Sequence, residues 1–330
     1  MPLGIVPLWI GFWVVEWVNI AAAQTISPES FQHQLDTLAA ADAADNKALY
    51  EGLAELYQDL GYRFIWDDPV LEEQLTSAVA SISAAGLRVA DYALPSIADL
   101  LAGDESSVAD AVVRRDLLWS RSFVMLLRHL YFGKADPAAS HGSWNLADLR
   151  NLDDKPLLVA DALRNQGIPA LVQLARPQQV FYGRLKGKLA EYRELEQRGG
   201  WELLTPRPVL SPGDTSAVVP ALRRRLQLVG DYRDPVQGFA ERYDASLVAA
   251  VERFQRRHQL QADGIIGPET WAAFDIPIRQ KIDQIRANLE RMRWALKGLA
   301  GDFLLVDIAG YQLYHLSDDQ VTWSSAVQVG

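Results

Sequence analysis

Cysteine is absent from this 330-residue sequence. A chain without cysteine forms no disulfide framework, offers no thiolate ligand to a zinc ion and carries no cysteine nucleophile. These three kinds of site are excluded for the residues given. Covalent catalysis by these residues would need a nucleophile other than cysteine.

Histidine is scarce, and the familiar catalytic motifs are missing. Five histidines show none of the spacings typical of metal ligands: His33, His129, His141, His258 and His315. The sequence also lacks G-x-S-x-G, S-x-x-K, H-E-x-x-H and the phosphate loop G-x-x-x-x-G-K-[ST]. We therefore predict neither a metal nor a cofactor. A pair of carboxylates that hydrolyses glycosides remains an alternative, because the sequence does not give the distance between two acidic side chains.

Basic charge is in deficit. The chain has 42 acidic and 32 basic residues and a formal charge of -10. Proteins that bind nucleic acid neutralise phosphates with an excess of lysine and arginine. We expect no nucleic-acid partner.

Long apolar runs are absent except at the start. Residues 3–20 are apolar and lead into Ala21, Ala22 and Ala23, which resemble a signal-peptidase site. This pattern predicts a signal peptide over 1–23 and export to the periplasm. No basic residue precedes the run and Glu16 lies within it, so an uncleaved membrane anchor or a buried helix are the alternatives. The membrane is a partner only if this segment is retained.

Between about residues 30 and 200, apolar side chains recur at helical spacing. Examples are Leu71, Leu75, Val79 and Ile82, and also Phe123, Leu126, Leu127 and Leu130. Glycines and prolines divide the region into about seven helices, which predicts an all-helical domain over 24–210. Its large aromatic side chains are expected in the core, with a sugar-binding face as the alternative: Tyr50, Trp66, Trp119, Trp144 and Trp201.

Residues 211–275 predict a compact three-helix module. The first helix directs Leu222 and Leu226 inward, and Asp244 is placed to cap the second. Asp263-Gly264 forms a turn pair, and Pro268 suits the first position of a third helix. The core is closed by Ile265, Ile266 and Trp271, whereas the outer side of the first helix carries Arg223, Arg224 and Arg225.

A linker helix and strands follow. Within residues 276–300 the apolar side chains recur at helical spacing and form one stripe, and the other side is basic. This pattern predicts a single helix. After Gly301 the runs at 303–308, 311–316 and 321–329 are typical of strands. We expect this short, incomplete β segment to expose unpaired backbone groups and one apolar face. The fold class predicted for the whole chain is mainly α.

The pattern FQ..H.L..DG.IG..T within 211–275 resembles the peptidoglycan-binding-like domain of bacterial wall enzymes. The resemblance implies peptidoglycan-binding roles for Tyr243, Asp244, Phe254, Gln255, His258, Asp263, Gly264, Gly267 and Thr270. DP...W at 136–144, GGW at 199–201 and IRANLERMRW at 285–294 are similar to the large periplasmic murein L,D-transpeptidases. That family implies a scaffold domain at 24–210, a binding module at 211–275, a linker helix at 276–300 and the first strands of a catalytic domain at 301–330.

This sequence differs from the family in its catalytic residues. Its members carry a histidine and a cysteine in an S-H-G-C-type motif, and the cysteine thiolate forms the acyl intermediate. No such motif occurs here. Three hypotheses remain: an exported, non-catalytic peptidoglycan-binding protein, part of an active transpeptidase encoded further downstream, or a carboxylate-dependent wall hydrolase. Under the first, peptidoglycan and other proteins of wall synthesis are the partners, and Arg223, Arg224 and Arg225 either lie in solvent or contact peptidoglycan carboxylates.

Overall fold

A computed structural model describes residues 27–42, 46–103, 107–135, 167–233, 241–296, 299, 301–308, 310–317 and 320–328. The predicted signal peptide at 1–23, the DP...W stretch at 136–144 and His141 lie outside the described residues. The chain divides into two compact units. The first comprises Met1–Gln178 with Glu290–Lys297, and the second comprises Gln179–Leu289 with Gly298–Gly330.

The described residues form eleven α-helices and three strands, which confirms the mainly α prediction. Six helices lie in the first unit: α1 (Pro28–Ala41), α2 (Lys47–Asp59), α3 (Pro69–Ser81), α4 (Ile97–Gly103), α5 (Val108–Phe132) and α6 (Gly167–Ala175). The others are α7 (Val180–Gln197), α8 (Val219–Leu228), α9 (Ala245–Arg257), α10 (Pro268–Phe274) and α11 (Ile278–Ala295). The strands are β1 (Phe303–Asp307), β2 (Gln312–Ser317) and β3 (Gln320–Ala326). None of the described helices is long and apolar enough to cross a bilayer.

Helix α5 is the centre of the first unit. It packs against α1, α2, α4 and α6, and it buries Phe123, Leu126 and Leu130 as the helical spacing predicts. Helix α1 begins where the Ser27 side chain accepts a hydrogen bond from the Ser30 backbone, and α3 begins in the same way at Asp68. The core prediction holds for Tyr50, Trp66 and Trp119, which are all buried.

A charged side chain lies inside this core. Asp116 of α5 is 2% exposed and accepts hydrogen bonds from the backbone N–H groups of Ile65 and Trp66, at 3.2 and 2.8 Å. The Tyr57 hydroxyl donates to the same carboxylate at 2.5 Å. Burial raises the pKa of Asp116 to about 6. One carboxylate thus satisfies the backbone of the loop that follows α2.

The second unit contains α7 to α10, the larger part of α11 and the strands. The division between the units falls within α11, since residues from Glu290 onward are grouped with the first unit. In the last part of α11, which is grouped with the first unit, the Glu290 carboxylate accepts hydrogen bonds from the backbone N–H groups of Lys134 and Ala135. Arg293 is 1% exposed and donates to the Ala85 carbonyl.

The three strands form an antiparallel sheet in the order β1-β2-β3. Leu304 lies opposite His315, and His315 lies opposite Trp323, so these three residues share one face. Leu304 is 59% and Trp323 is 46% exposed. Within the described residues the sheet therefore presents an apolar face to solvent.

Candidate functional site

The candidate site lies on the three-helix module formed by α8, α9 and α10. Its core is apolar and continuous: Leu204, Leu210, Val218, Val219, Leu222, Leu226, Tyr232, Tyr243, Leu247, Ala250, Val251, Phe254, Ile266, Trp271 and Phe274. Paired backbone hydrogen bonds between Leu210 and Ile266 tie the segment before α8 to the turn before α10. Phe254 and Phe274 stack with ring centroids 3.9 Å apart. The helix faces predicted from Leu222 and Leu226 are confirmed.

Gln255 fixes the Asp263-Gly264 turn. Its side-chain oxygen accepts from the Gly264 N–H at 3.0 Å, and its amide nitrogen donates to the Ile265 carbonyl at 2.9 Å. The Tyr243 hydroxyl donates to the Gly264 carbonyl at 2.5 Å. Gly264 has φ +70°, and a Cβ there would lie 2.7 Å from a methyl group of Val248. The turn therefore requires glycine for both conformation and space.

Arg223 and Asp244 form a pair at the start of α9. The Asp244 side chain caps the helix by accepting from the Leu247 N–H at 3.0 Å, as predicted. Arg223, which is 1% exposed, donates to the same carboxylate at 2.5 Å and to the Arg242 carbonyl at 2.7 Å. Although burial opposes it, these hydrogen bonds lower the pKa of Asp244 below its ordinary value.

Arg225 lies on the opposite side of α8 and is also buried. Its guanidinium donates to the carbonyls of Phe274 and Glu202, at 2.8 and 2.6 Å, and lies over the Trp201 ring. Burial lowers its pKa to about 10, so it remains charged at neutral pH. The expectation that all three arginines lie on the outer side is therefore wrong for Arg223 and Arg225. Carbonyls and one carboxylate from other segments of the module reach them, and only Arg224 is exposed.

His258 ends α9 and has a defined tautomer. Its Nδ1 lies 2.9 Å from the Phe254 carbonyl, which only accepts, so Nδ1 carries the proton and Nε2 is an acceptor. The Lys281 ammonium lies 3.4 Å from that Nε2. Burial is the main cause that lowers the pKa of His258 to about 4, and the charges of Arg257 and Lys281 act in the same direction. The imidazole is therefore neutral at pH 7.

The residues predicted to bind peptidoglycan have contacts inside the module. Tyr243, Phe254, Gln255, Gly264 and Thr270 are buried, and Asp263 is exposed but accepts from the Ile265 N–H. Asp244 and His258 are half-buried and bonded as described above, and Gly267 lies at the N-terminus of α10. Their binding roles stay a prediction, while the contacts give most of them a structural role.

Two details differ from the sequence expectation. Ile265 is 40% exposed, because the turn directs only Ile266 into the core. The sequence does not single out Lys281, because it lies on the next helix and its contact with His258 depends on how two elements pack. The sequence signal that includes it is the excess of basic residues over 276–300.

No metal centre is formed by the residues that the structure describes, because none of their histidine, aspartate and glutamate side chains cluster in threes. Asp116 is the carboxyl group whose pKa is clearly raised in the described part of the chain, and it is enclosed in the first unit's core.

Two family models match the chain. The Scaffold domain matches residues 51–189, and the Putative peptidoglycan binding domain matches residues 215–274. Because the scaffold domain is found in L,D-transpeptidases, the two matches in this order support the relationship predicted from the sequence motifs. The three-helix module is thus of the peptidoglycan-binding type.

A curated relative is similar over a shorter stretch. It is the "Uncharacterized protein in bpoA1 3'region" of Kitasatospora aureofaciens, 38% identical over 78 residues. The match covers 23% of this chain and 62% of the relative. The chain therefore spans less than two thirds of that protein's length.

Proposed function

We propose that this chain is an exported peptidoglycan-binding protein that corresponds to the non-catalytic N-terminal portion of a murein L,D-transpeptidase. The observation that carries this proposal is the succession of a scaffold domain and a peptidoglycan-binding domain in one chain. The absence of cysteine supports a binding role for the residues given, since acyl transfer in that family uses a thiolate.

Co-sedimentation of the full chain with purified sacculi tests the binding role. We expect the wild type to pellet with sacculi, and we expect Gly264→Val to remain in the supernatant. A valine there has no room beside Val248 and adopts a strained backbone, so the turn and the module are disrupted.

The matched control is Gly52→Ala in α2 of the first unit. A Cβ at Gly52 meets nothing within 4 Å, and alanine favours a helix interior, so this variant should pellet like the wild type. A wild type that fails to pellet contradicts the proposal. A Gly264→Val protein that pellets normally places the binding outside the module.

A second candidate is part of an active L,D-transpeptidase whose catalytic domain is encoded downstream. The apolar sheet face with Leu304 and Trp323 favours it, because a soluble domain rarely leaves such a face uncovered. The nucleotide sequence beyond the Gly330 codon tests this candidate. An in-frame continuation with a histidine and a cysteine supports it, and a stop codon there removes it.

Export to the periplasm is the remaining part of the proposal. The apolar run at 3–20 and the alanines at 21–23 support a cleaved signal peptide. We expect protein recovered from the periplasm to begin at Gln24, as measured by N-terminal sequencing. Recovery of an intact Met1 in the membrane fraction would favour an anchor instead.

A further inference from the structure

A half-buried lysine that has no carboxylate partner among the described residues lies where α9 ends and α11 begins, within the second unit. Lys281 donates to the Nε2 atom of His258 at 3.4 Å. Because that nitrogen is a neutral acceptor, it orients the ammonium without cancelling its charge. Two of the three N–H donors of Lys281 have no protein acceptor among the described residues.

The surroundings of Lys281 are cationic. Burial is the main cause that lowers the pKa of Lys281, and the charge of Arg257 acts in the same direction. Arg257 is itself paired with Asp231 at 2.5 Å, and Arg253 donates to the backbone carbonyl of Asp231. Two arginines thus contact Asp231, and its carboxylate is already engaged by Arg257.

This arrangement costs free energy in the unbound protein. Partial burial removes water from the ammonium, and the nearby guanidinium repels it. A bound anion would offset both costs, because it would accept the unused N–H donors of Lys281 and reduce the repulsion. The cluster therefore has the charge and the donors of an anion site.

The described aromatic side chains of the module are too deeply buried to form a sugar-binding surface. Tyr232, Tyr243, Phe254, Trp271 and Phe274 are all at most 4% exposed. Binding of sugar rings commonly uses exposed aromatic faces, and none of these five side chains offers one. The peptide part of peptidoglycan, whose stems carry free carboxylates, matches the cationic cluster better than the glycan does.

We propose that Lys281, together with Arg257 and oriented by His258, binds a carboxylate of the peptidoglycan peptide stem. This inference rests on the proposed function, since it names the part of peptidoglycan that the module recognises. The sequence suggested that arginines of α8 contact peptidoglycan carboxylates, but Arg223 and Arg225 are engaged in hydrogen bonds within the protein. This proposal places the carboxylate contact at the end of α9 instead.

The experiment measures binding of the full chain to two preparations of sacculi. One is untreated, and in the other the carboxylates are converted to neutral amides with a carbodiimide and glycinamide. Lys281→Gln is compared with Lys281→Arg, which keeps the charge, and with Arg279→Gln. Arg279 is an exposed residue of α11, so its variant removes the same charge two positions away.

On untreated sacculi we expect Lys281→Gln to bind about tenfold more weakly than wild type, which is the usual effect of losing a charge-assisted contact. Lys281→Arg should restore most of the affinity, and Arg279→Gln should stay within about twofold of wild type. Amidated sacculi should bind the wild type as weakly as untreated sacculi bind Lys281→Gln. The substitution should then have no further effect.

Several outcomes overturn the inference. Unchanged binding by Lys281→Gln removes the site, and an equal loss on both preparations indicates a general defect of the variant. A loss with Lys281→Gln while amidation leaves the wild type unaffected assigns the site to another anion, such as a phosphate. If the wild type binds neither preparation, the proposed function fails first, and this inference fails with it.

Discussion

The most deeply buried charged side chains of the core around α5 and of the three-helix module have opposite signs, although Arg293 is also buried in the first unit. The first unit encloses a carboxylate, Asp116, which accepts hydrogen bonds from backbone N–H groups and from a tyrosine hydroxyl. The second encloses two guanidinium groups, Arg223 and Arg225, which donate to backbone carbonyls and to Asp244. In both units the buried charge serves as a fixed partner for irregular backbone that would otherwise be unsatisfied.

The difference lies in how each unit responds to protons. A buried carboxyl group becomes neutral in mild acid, because burial raises the pKa of Asp116 to about 6. Arginine keeps its charge throughout the physiological range, and even the lowered pKa of Arg225 is about 10. The first unit thus contains a buried group that titrates near neutrality, and the arginine pair of the second does not.

The largest effect is expected from removing one of the buried guanidinium groups of the second unit. Replacing Arg223 with methionine removes its hydrogen bonds to Asp244, to the Arg242 carbonyl and to the Tyr232 hydroxyl. Because Asp244 is partly exposed and can be rehydrated, we expect a loss of about 3 kcal/mol, the low end for a broken buried pair. Urea unfolding of the full chain measures it.

Arg224→Met is the matched control on the neighbouring position of α8. Arg224 is exposed, so its replacement should change the free energy of unfolding by about 0.5 kcal/mol or less. Similar losses for Arg223→Met and Arg224→Met would show that the buried pair contributes nothing beyond the loss of a positive charge.

The second prediction concerns acidification from pH 7 to pH 5. Burial lowers the pKa of His129 in the first unit from 6.5 to about 4, so only the unfolded chain gains that proton and stability falls by about 2 kcal/mol. Asp116 acts in the opposite direction: only the folded chain gains its proton, and stability rises by about 1 kcal/mol. In the second unit, burial also lowers the pKa of His258 to about 4, so acid costs stability there in the same way as at His129.

We therefore expect acid to destabilise the second unit more than the first. Amide hydrogen exchange at the two pH values, corrected for intrinsic rates, should show a larger loss of protection in α9 than in α5. Asp116→Asn removes the offset and should make α5 respond to acid more strongly. Equal losses in α5 and α9 of the wild type would contradict the comparison.

Much of this architecture could be predicted from the sequence, because local patterns encode it. The apolar spacing of Leu222 and Leu226, the capping role of Asp244 and the strand character after Gly301 depend on neighbours along the chain. The positions of Arg223 and Lys281 depend instead on distant groups, namely Arg242 with Asp244 and His258. Helical periodicity alone does not predict such contacts, so the sequence placed Arg223 and Arg225 on the outer side of α8, whereas both are buried.

The smallest expected effect compares how two helices end. In the first unit α5 ends at Gly133, whose φ is +82° and where a Cβ would collide with the Trp294 side chain. In the second unit α9 is followed by Gln259, which adopts φ +58° with a side chain present. Left-handed conformation is costly for residues other than glycine, by roughly 1 kcal/mol.

Gln259→Gly should therefore stabilise the second unit by up to about 1 kcal/mol, measured by urea unfolding. Gln261→Gly is the matched control, since Gln261 is not among the residues with positive φ and the change only adds freedom to the unfolded chain. We expect that variant to be slightly less stable than wild type. If Gln259→Gly is also less stable, the amide of Gln259, which lies close to Gly310, stabilises the fold by more than its backbone strain costs. The residue would then be retained in the left-handed position because of that contact.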